Sequence, residues 1–125
     1  MRDRKCLPDK TVQTHLQAEI DRICGVQLPS FDHYDKLSYV EATILETMRL
    51  GNIVPITVTH RTLNGPKLFR GYNIPEDAEI IGNLKGAHMD PQLFPEPEMF
   101  KPHRFLDDDG CIINKDKVIL FGMGE

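Results

Sequence analysis

The sequence predicts an α+β chain: two amphipathic helices, a small antiparallel meander, then a Pro-rich irregular segment. Three observations predict it. Apolar residues recur at helical spacing in two stretches before residue 51. Short β-branched runs separated by turn signals follow, between 53 and 84. Pro91, Pro95, Pro97 and Pro102 then exclude a long helix or a central strand.

The first helix is expected over Lys10 to Ile23. Val12, Leu16, Ile20 and Ile23 form its apolar stripe, and Gly25 stops it. Pro29 to Asp35 reads as a polar linker. Ser38-Tyr39-Val40-Glu41 has the form of a capping box, with Ser38 as N-cap and Glu41 at the third helical position. The helix it opens runs to about Leu50 and ends at Gly51-Asn52.

Ile53-Val54-Pro55-Ile56-Thr57-Val58-Thr59 is predicted as a strand, and Asn64-Gly65 as a turn. Lys67 to Tyr72 and Glu79 to Leu84 are two further strands, separated by Pro75-Glu76-Asp77. Asp107-Asp108-Asp109-Gly110 is an exposed acidic turn, and Val118 to Phe121 a last apolar run entering Gly122-Met123-Gly124. Two helices and three short strands leave little to cover these apolar faces, so the chain reads as a piece of something larger.

Composition narrows the function. The chain has 125 residues, 40% of them hydrophobic and 27% charged, as in a globular protein. A net charge of -4 and the lack of a dense Lys/Arg tract argue against a nucleic-acid partner. No apolar stretch approaches the roughly 18–20 residues needed to span a bilayer. The start, Met1-Arg2-Asp3-Arg4-Lys5, has no apolar core behind it and is not read as a secretory signal. Cys6, Cys24 and Cys111 include no Cys-x-x-Cys pair and are expected as free thiols.

Glu46 and Arg49 stand at i and i+3, on one helical face, where they can bond directly. If that face is buried, both charges must be paired. The order Glu46-x-x-Arg49, His60-Arg61, Asn83-Leu84-Lys85-Gly86-Ala87-His88-Met89-Asp90-Pro91, Phe100-Lys101-Pro102-His103-Arg104-Phe105 and Phe121-Gly122-Met123-Gly124 resembles the cytochromes P450. It is most similar to the animal microsomal monooxygenases that act on steroids, fatty acids and foreign compounds. One Glu-x-x-Arg recurs by chance in many helices; five elements in order, from about Leu7 to Gly124, are specific.

The resemblance implies a partial domain of the mainly-α P450 fold. Its parts would be a helix pair at 10–50, a small sheet at 53–84, a Pro-rich segment at 85–110 and the start of the heme loop at 118–125. It implies a structural triad of Glu46, Arg49 and Arg104 that fixes the region behind the heme. His103 stands where the family often has Glu. Ile53, Val54, Ile56 and Val58 match a substrate-contacting stretch, Val54 and Val58 foremost; read alone, they equally suit a core. His60 matches a residue that bonds a heme propionate, with Arg61 assisting, and Phe121 and Gly124 match the opening of the heme loop. His88 and Asp90 fall in a turn and are expected to cap local backbone groups.

In the family, Phe-x-x-Gly-x-Arg-x-Cys-x-Gly carries the thiolate that ligates the heme iron. That cysteine would lie seven residues after Phe121, beyond Glu125. The helix with the oxygen-activating acid–alcohol pair and the membrane anchor would lie upstream of Leu7. No metal ligand is therefore expected in this chain, and no bound heme. Gly124-Glu125 reads either as a splice onto a later Glu or as the next residue before a truncation.

For the whole protein the resemblance implies an oxidoreductase on the cytosolic face of the endoplasmic reticulum membrane. Heme would be its cofactor, an NADPH-dependent P450 reductase its partner and a lipophilic small molecule its substrate. Two other classes compete. One is a non-catalytic binding protein that regulates a full-length relative. The other, a metallohydrolase using His60, His88, His103 and Asp107 to Asp109, is disfavoured because no His-x-x-x-His spacing places two ligands on one helical face.

Overall fold

The computed structural model describes residues 10–119. Helix α1 spans Lys10–Cys24, and Gly25 stops it with a φ of +57°, in the left-handed region that glycine adopts freely. Its four stripe residues are half-buried against the rest of the chain, and Cys24 is buried. The linker expected over 29–35 is instead a 3-10 turn, Phe31–Lys36. Ser30 N–H donates to His33 Nδ1 at 3.1 Å, a local bond that closes this turn.

Helix α2 spans Ser38–Gly51, but the capping box does not form. Leu37 occupies the cap position. The carboxylate of Glu19, from α1, accepts the N–H groups of Tyr39 at 3.0 Å and Val40 at 2.9 Å. A full negative charge facing two first-turn N–H groups also complements the helix dipole, which a serine hydroxyl does less well. Glu41 turns outward to Lys115 Nζ, at 2.5 Å, and the Tyr34 hydroxyl. Glu19→Ala is therefore expected to destabilise the chain by about 0.5–2 kcal/mol, while Ser38→Ala stays within about 0.5 kcal/mol. Urea melts of the two variants check the ordering. At the other end Asn52 is left-handed (φ 37°) and its N–H returns to Met48 O at 3.0 Å.

The meander is corrected in three places. Residues 53–59 form no strand. Pro55 removes a donor, and two attachments hold this stretch. Thr57 N–H bonds Gly82 O at 2.9 Å, with Gly82 N–H returning to Thr57 Oγ1 at 2.8 Å, and Lys85 N–H bonds Pro55 O at 3.0 Å. Pairing starts at β1, His60–Arg61, which lies antiparallel to β4, Glu79–Ile80, in the register His60↔Ile80 and Arg61↔Glu79.

Lys67 to Tyr72 is not one strand but most of a hairpin. Here β2, Lys67–Phe69, pairs with β3, Tyr72–Ile74, around Arg70-Gly71. Both turn residues have positive φ, 49° and 85°, as a two-residue hairpin loop of matching twist requires. Two small two-stranded sheets replace the single meander. Thr62 joins their ends: it is buried, its hydroxyl donates to Pro75 O at 2.7 Å, and its N–H donates to Ala78 O.

The third predicted strand gives way after Ile80 to α3, Leu84–His88, whose start is capped by the Asn83 side chain accepting from Gly86 N–H at 2.9 Å. Beyond it, among the described residues, the chain is irregular apart from 3-10 turns at Pro102–Phe105 and Lys115–Lys117 and a single bridge, Leu106↔Ile112. Asp107 Oδ1 accepts the N–H groups of Asp109 and Cys111, closing the exposed acidic turn. Among the described residues the core is Ala42, Leu45, Phe94 and Phe105, with Leu106, Ile112 and Val118 against it. It joins the inner face of α2 to the Pro-rich segment, and that junction positions the candidate site.

Candidate functional site

One helical turn of α2 beyond Ala42 and Leu45, the same inward face carries Glu46 and Arg49. Both have no exposed side-chain surface. Arg49 grips the carboxylate with two prongs: Nε to Oε2 at 2.8 Å and Nη2 to Oε1 at 2.9 Å. Oε1 also accepts Arg104 Nε at 3.0 Å and the Lys101 N–H at 2.9 Å. The structure thus brings together the three residues of the expected triad. Two buried or nearly buried guanidinium groups share one carboxylate.

The surplus positive charge is met by backbone carbonyls. Arg49 Nη1 donates to His88 O at 2.7 Å, and Arg104 Nη1 to Pro95 O at 2.9 Å. Arg104 Nη2 reaches Glu96 O and Met99 O, and Arg49 Nη2 reaches Met99 O at 3.4 Å. An irregular, Pro-rich backbone leaves carbonyls without N–H partners. The Arg forks provide those partners, so the clamp binds the segment mainly through its main chain. Arg49 also lies over the Phe94 ring, 5.1 Å from its centroid.

His103, the departure from the family pattern, points away from the clamp. Its ring packs 5.2 Å from that of Tyr39 and 6.1 Å from that of His15. Lys101 and Glu96 form an ion pair beside it, and the Lys101 ammonium holds the Glu96 carboxyl below its usual range.

The other expected residues lie apart from the clamp. Ile53, Val54, Ile56 and Val58 are all exposed, Ile53 at 94% and Val58 at 69%, so none fills a core among the described residues. His60 is half-buried, and its Nε2 is enclosed without a hydrogen-bond partner among the described residues. Arg61 faces the other side of the strand, as alternation demands, and pairs across it with Glu79 at 3.5 Å. The two residues therefore do not converge on one group. Phe121 and Gly124 lie outside the described residues.

Sequence reasoning missed His88. Asp90 does cap local backbone, accepting Gln92 N–H at 2.8 Å. His88 does not: it is 1% exposed and its Nε2 accepts the N–H of Ile119 at 3.1 Å. No spacing rule connects residues 88 and 119. Among the described residues no three His, Cys, Asp or Glu side chains gather as metal ligands. Cys24 is buried with Sγ 3.7 Å from His33 Nδ1, and Cys111 is exposed.

The cytochrome P450 family model matches residues 5–125. Over 115 residues the chain is 41% identical to cytochrome P450 2U1 of Homo sapiens, a match covering 91% of this chain and 21% of that protein. It is 41% identical over 118 residues to cytochrome P450 1B1 of Homo sapiens, again 91% of this chain and 21% of the relative. Against cytochrome P450 18a1 of Drosophila melanogaster the identity is 38% over 110 residues, 87% of this chain and 20% of the relative. The chain belongs to the cytochrome P450 family, and its α+β architecture is a fragment of that fold. It spans about a fifth of the length of the curated relatives it matches.

The heme implied by the family can be tested against these residues. His60 fits: an enclosed ring nitrogen without a partner suits a carboxylate acceptor such as a propionate. Arg61, committed to Glu79 on the opposite face, does not fit in this conformation.

Proposed function

We propose that this chain is the scaffold behind the heme in a heme-thiolate monooxygenase that inserts one O2-derived oxygen atom into a lipophilic substrate. A steroid, a fatty acid or a xenobiotic suits such a site. The observation that carries the reading is the buried Glu46 carboxylate shared by Arg49 and Arg104, in a chain of this family. Bound through a cysteine thiolate, the heme supplies the oxygen activation and O–O cleavage.

This chain's residues then have supporting roles. Glu46, Arg49 and Arg104 hold the Pro-rich segment rigid. His60 Nε2 orients a propionate, with Arg61 assisting only after leaving Glu79. Ile53, Val54, Ile56 and Val58 present apolar surface to the substrate, in keeping with a pocket of few polar anchors. Phe121 and Gly124 open the heme loop. The helix pair at 10–50, the paired strands that follow and the Pro-rich segment act as parts of one partial domain. Electrons come from an NADPH-dependent P450 reductase, and the whole protein works at the cytosolic face of the endoplasmic reticulum membrane. No helix among the described residues is long and apolar enough to cross that membrane.

None of Cys6, Cys24 and Cys111 stands in a Phe-x-x-Gly-x-Arg-x-Cys-x-Gly setting. The 125 residues alone are therefore expected to give no thiolate-type difference band with carbon monoxide after reduction in the presence of hemin. A longer product that carries such a cysteine is expected to give it. A clear band from the 125 residues contradicts the assignment of ligand and loop.

A further inference from the structure

We infer that His88 is a positioning residue, latching the backbone at Ile119 to the Glu46–Arg49–Arg104 clamp. The inference rests on the proposed scaffold role and adds to it the connection between that scaffold and the loop beginning at Phe121. The ring and the main chain of this one residue work in opposite directions. His88 O accepts Arg49 Nη1 at 2.7 Å, and His88 Nε2 accepts Ile119 N–H at 3.1 Å. The ring packs edge-on to Phe94, 6.4 Å between centroids, and Phe94 carries Arg49 on its face. Ile119 stands two residues before Phe121, so the clamp's position is passed to the start of the loop through a single side chain.

The chemistry fixes the ring's form. Ile119 donates, so Nε2 must be the bare nitrogen and the proton must sit on Nδ1. Nδ1 is buried without a partner among the described residues. An unpaired buried N–H is unfavourable, and its retention marks the Nε2 bond as the one that sets the ring's orientation. A second proton would place N–H against N–H at Ile119 and a cation close to Arg49.

The surroundings act in the same sense. Burial first, and the Arg49 charge second, hold the His88 pKa below its ordinary 6.5. Of the groups facing the ring, α2 brings Arg49, itself paired to Glu46, while Phe94 and Ile119 bring no charge. An unfolded His88 binds its proton more readily than the folded one. The latch is therefore complete above pH 6.5 and lost as pH falls through the lowered folded value.

Two measurements on the intact chain test this. Nitrogen-15 shifts of the His88 ring at pH 8 are expected to show Nδ1 protonated and Nε2 bare. The Ile119 amide is expected to be protected on the order of tenfold or more relative to an open amide. That protection should fall below pH 6.5 in the native chain. In His88→Gln, whose side-chain oxygen can accept without titrating, it should persist at acid pH. His88→Leu should lack it at every pH.

An Nε2-protonated ring, which an unstructured chain would also give, overturns the inference without reference to any variant. So does Ile119 protection that His88→Leu leaves unchanged. Failure of the heme assignment would touch none of these readouts, because no heme is present in them.

Discussion

Glu46→Gln is expected to destabilise the chain by about 3–5 kcal/mol, among the largest effects of the substitutions considered. Both Glu46 and Arg49 are wholly enclosed, and the carboxylate accepts four N–H donors from Arg49, Arg104 and Lys101. An amide keeps the shape but removes the charge, and even with its oxygen at the Oε1 position it sets an NH2 against Arg49 Nε. Arg49 is then a buried cation with no counter-ion, which is the costly way to break such a pair. Against a total stability of roughly 5–15 kcal/mol for an ordinary domain, most of the fold is at risk. Arg104→Leu should be milder, because Arg104 is 10% exposed and its loss leaves the Glu46–Arg49 pair intact. Urea midpoints of the two variants measure the ordering. A Glu46→Gln protein within about 1 kcal/mol of the native chain would mean that the pair is not buried in solution.

Phe105→Ala should cost nearly as much, about 3–5 kcal/mol. Its ring has no exposed surface, sits 6.3 Å from Phe94 and clusters with Ala42 and Leu45 of α2. Its carbonyl accepts Ile113 N–H at 2.9 Å, so a shift at 105 also disturbs the Leu106↔Ile112 bridge. Phe69→Ala serves as the control. Phe69 is 61% exposed on its hairpin, and its loss should change stability by about 0.5 kcal/mol or less. Equal effects at 69 and 105 would contradict the placement of the core.

The two long helices were legible because their signals are local. The stripe of Val12, Leu16, Ile20 and Ile23, with Gly25 after it, specifies α1 without reference to anything distant. The start of α2 was misread for the opposite reason: Ser38 and Glu41 satisfy a local rule, but Glu19 on a neighbouring helix competes with a full charge. Residues 53–59 have strand composition and no strand beside them, and β propensity needs a partner to be realised. Arg70-Gly71 escaped notice as a hairpin turn because a non-glycine residue takes positive φ there.

At the candidate site the side chains of the clamp were legible, and the carbonyls of residues 88, 95, 96 and 99 were not. Every residue has a carbonyl, so sequence cannot say which ones a folded chain leaves unpaired. His88 was hidden in the same way. Its partner is the backbone of a residue 31 positions away.

The central claim is that the Glu46 carboxylate fastens the Pro-rich segment to α2. Native-state hydrogen exchange at the Lys101 amide, followed through sub-denaturing urea, tests it most directly. That N–H lies in irregular backbone and donates to Glu46 Oε1. The account predicts that it opens only together with the inner amides of α2, at the same free energy and with the same urea dependence. A Lys101 amide that exchanges like a free loop while α2 stays protected would contradict it.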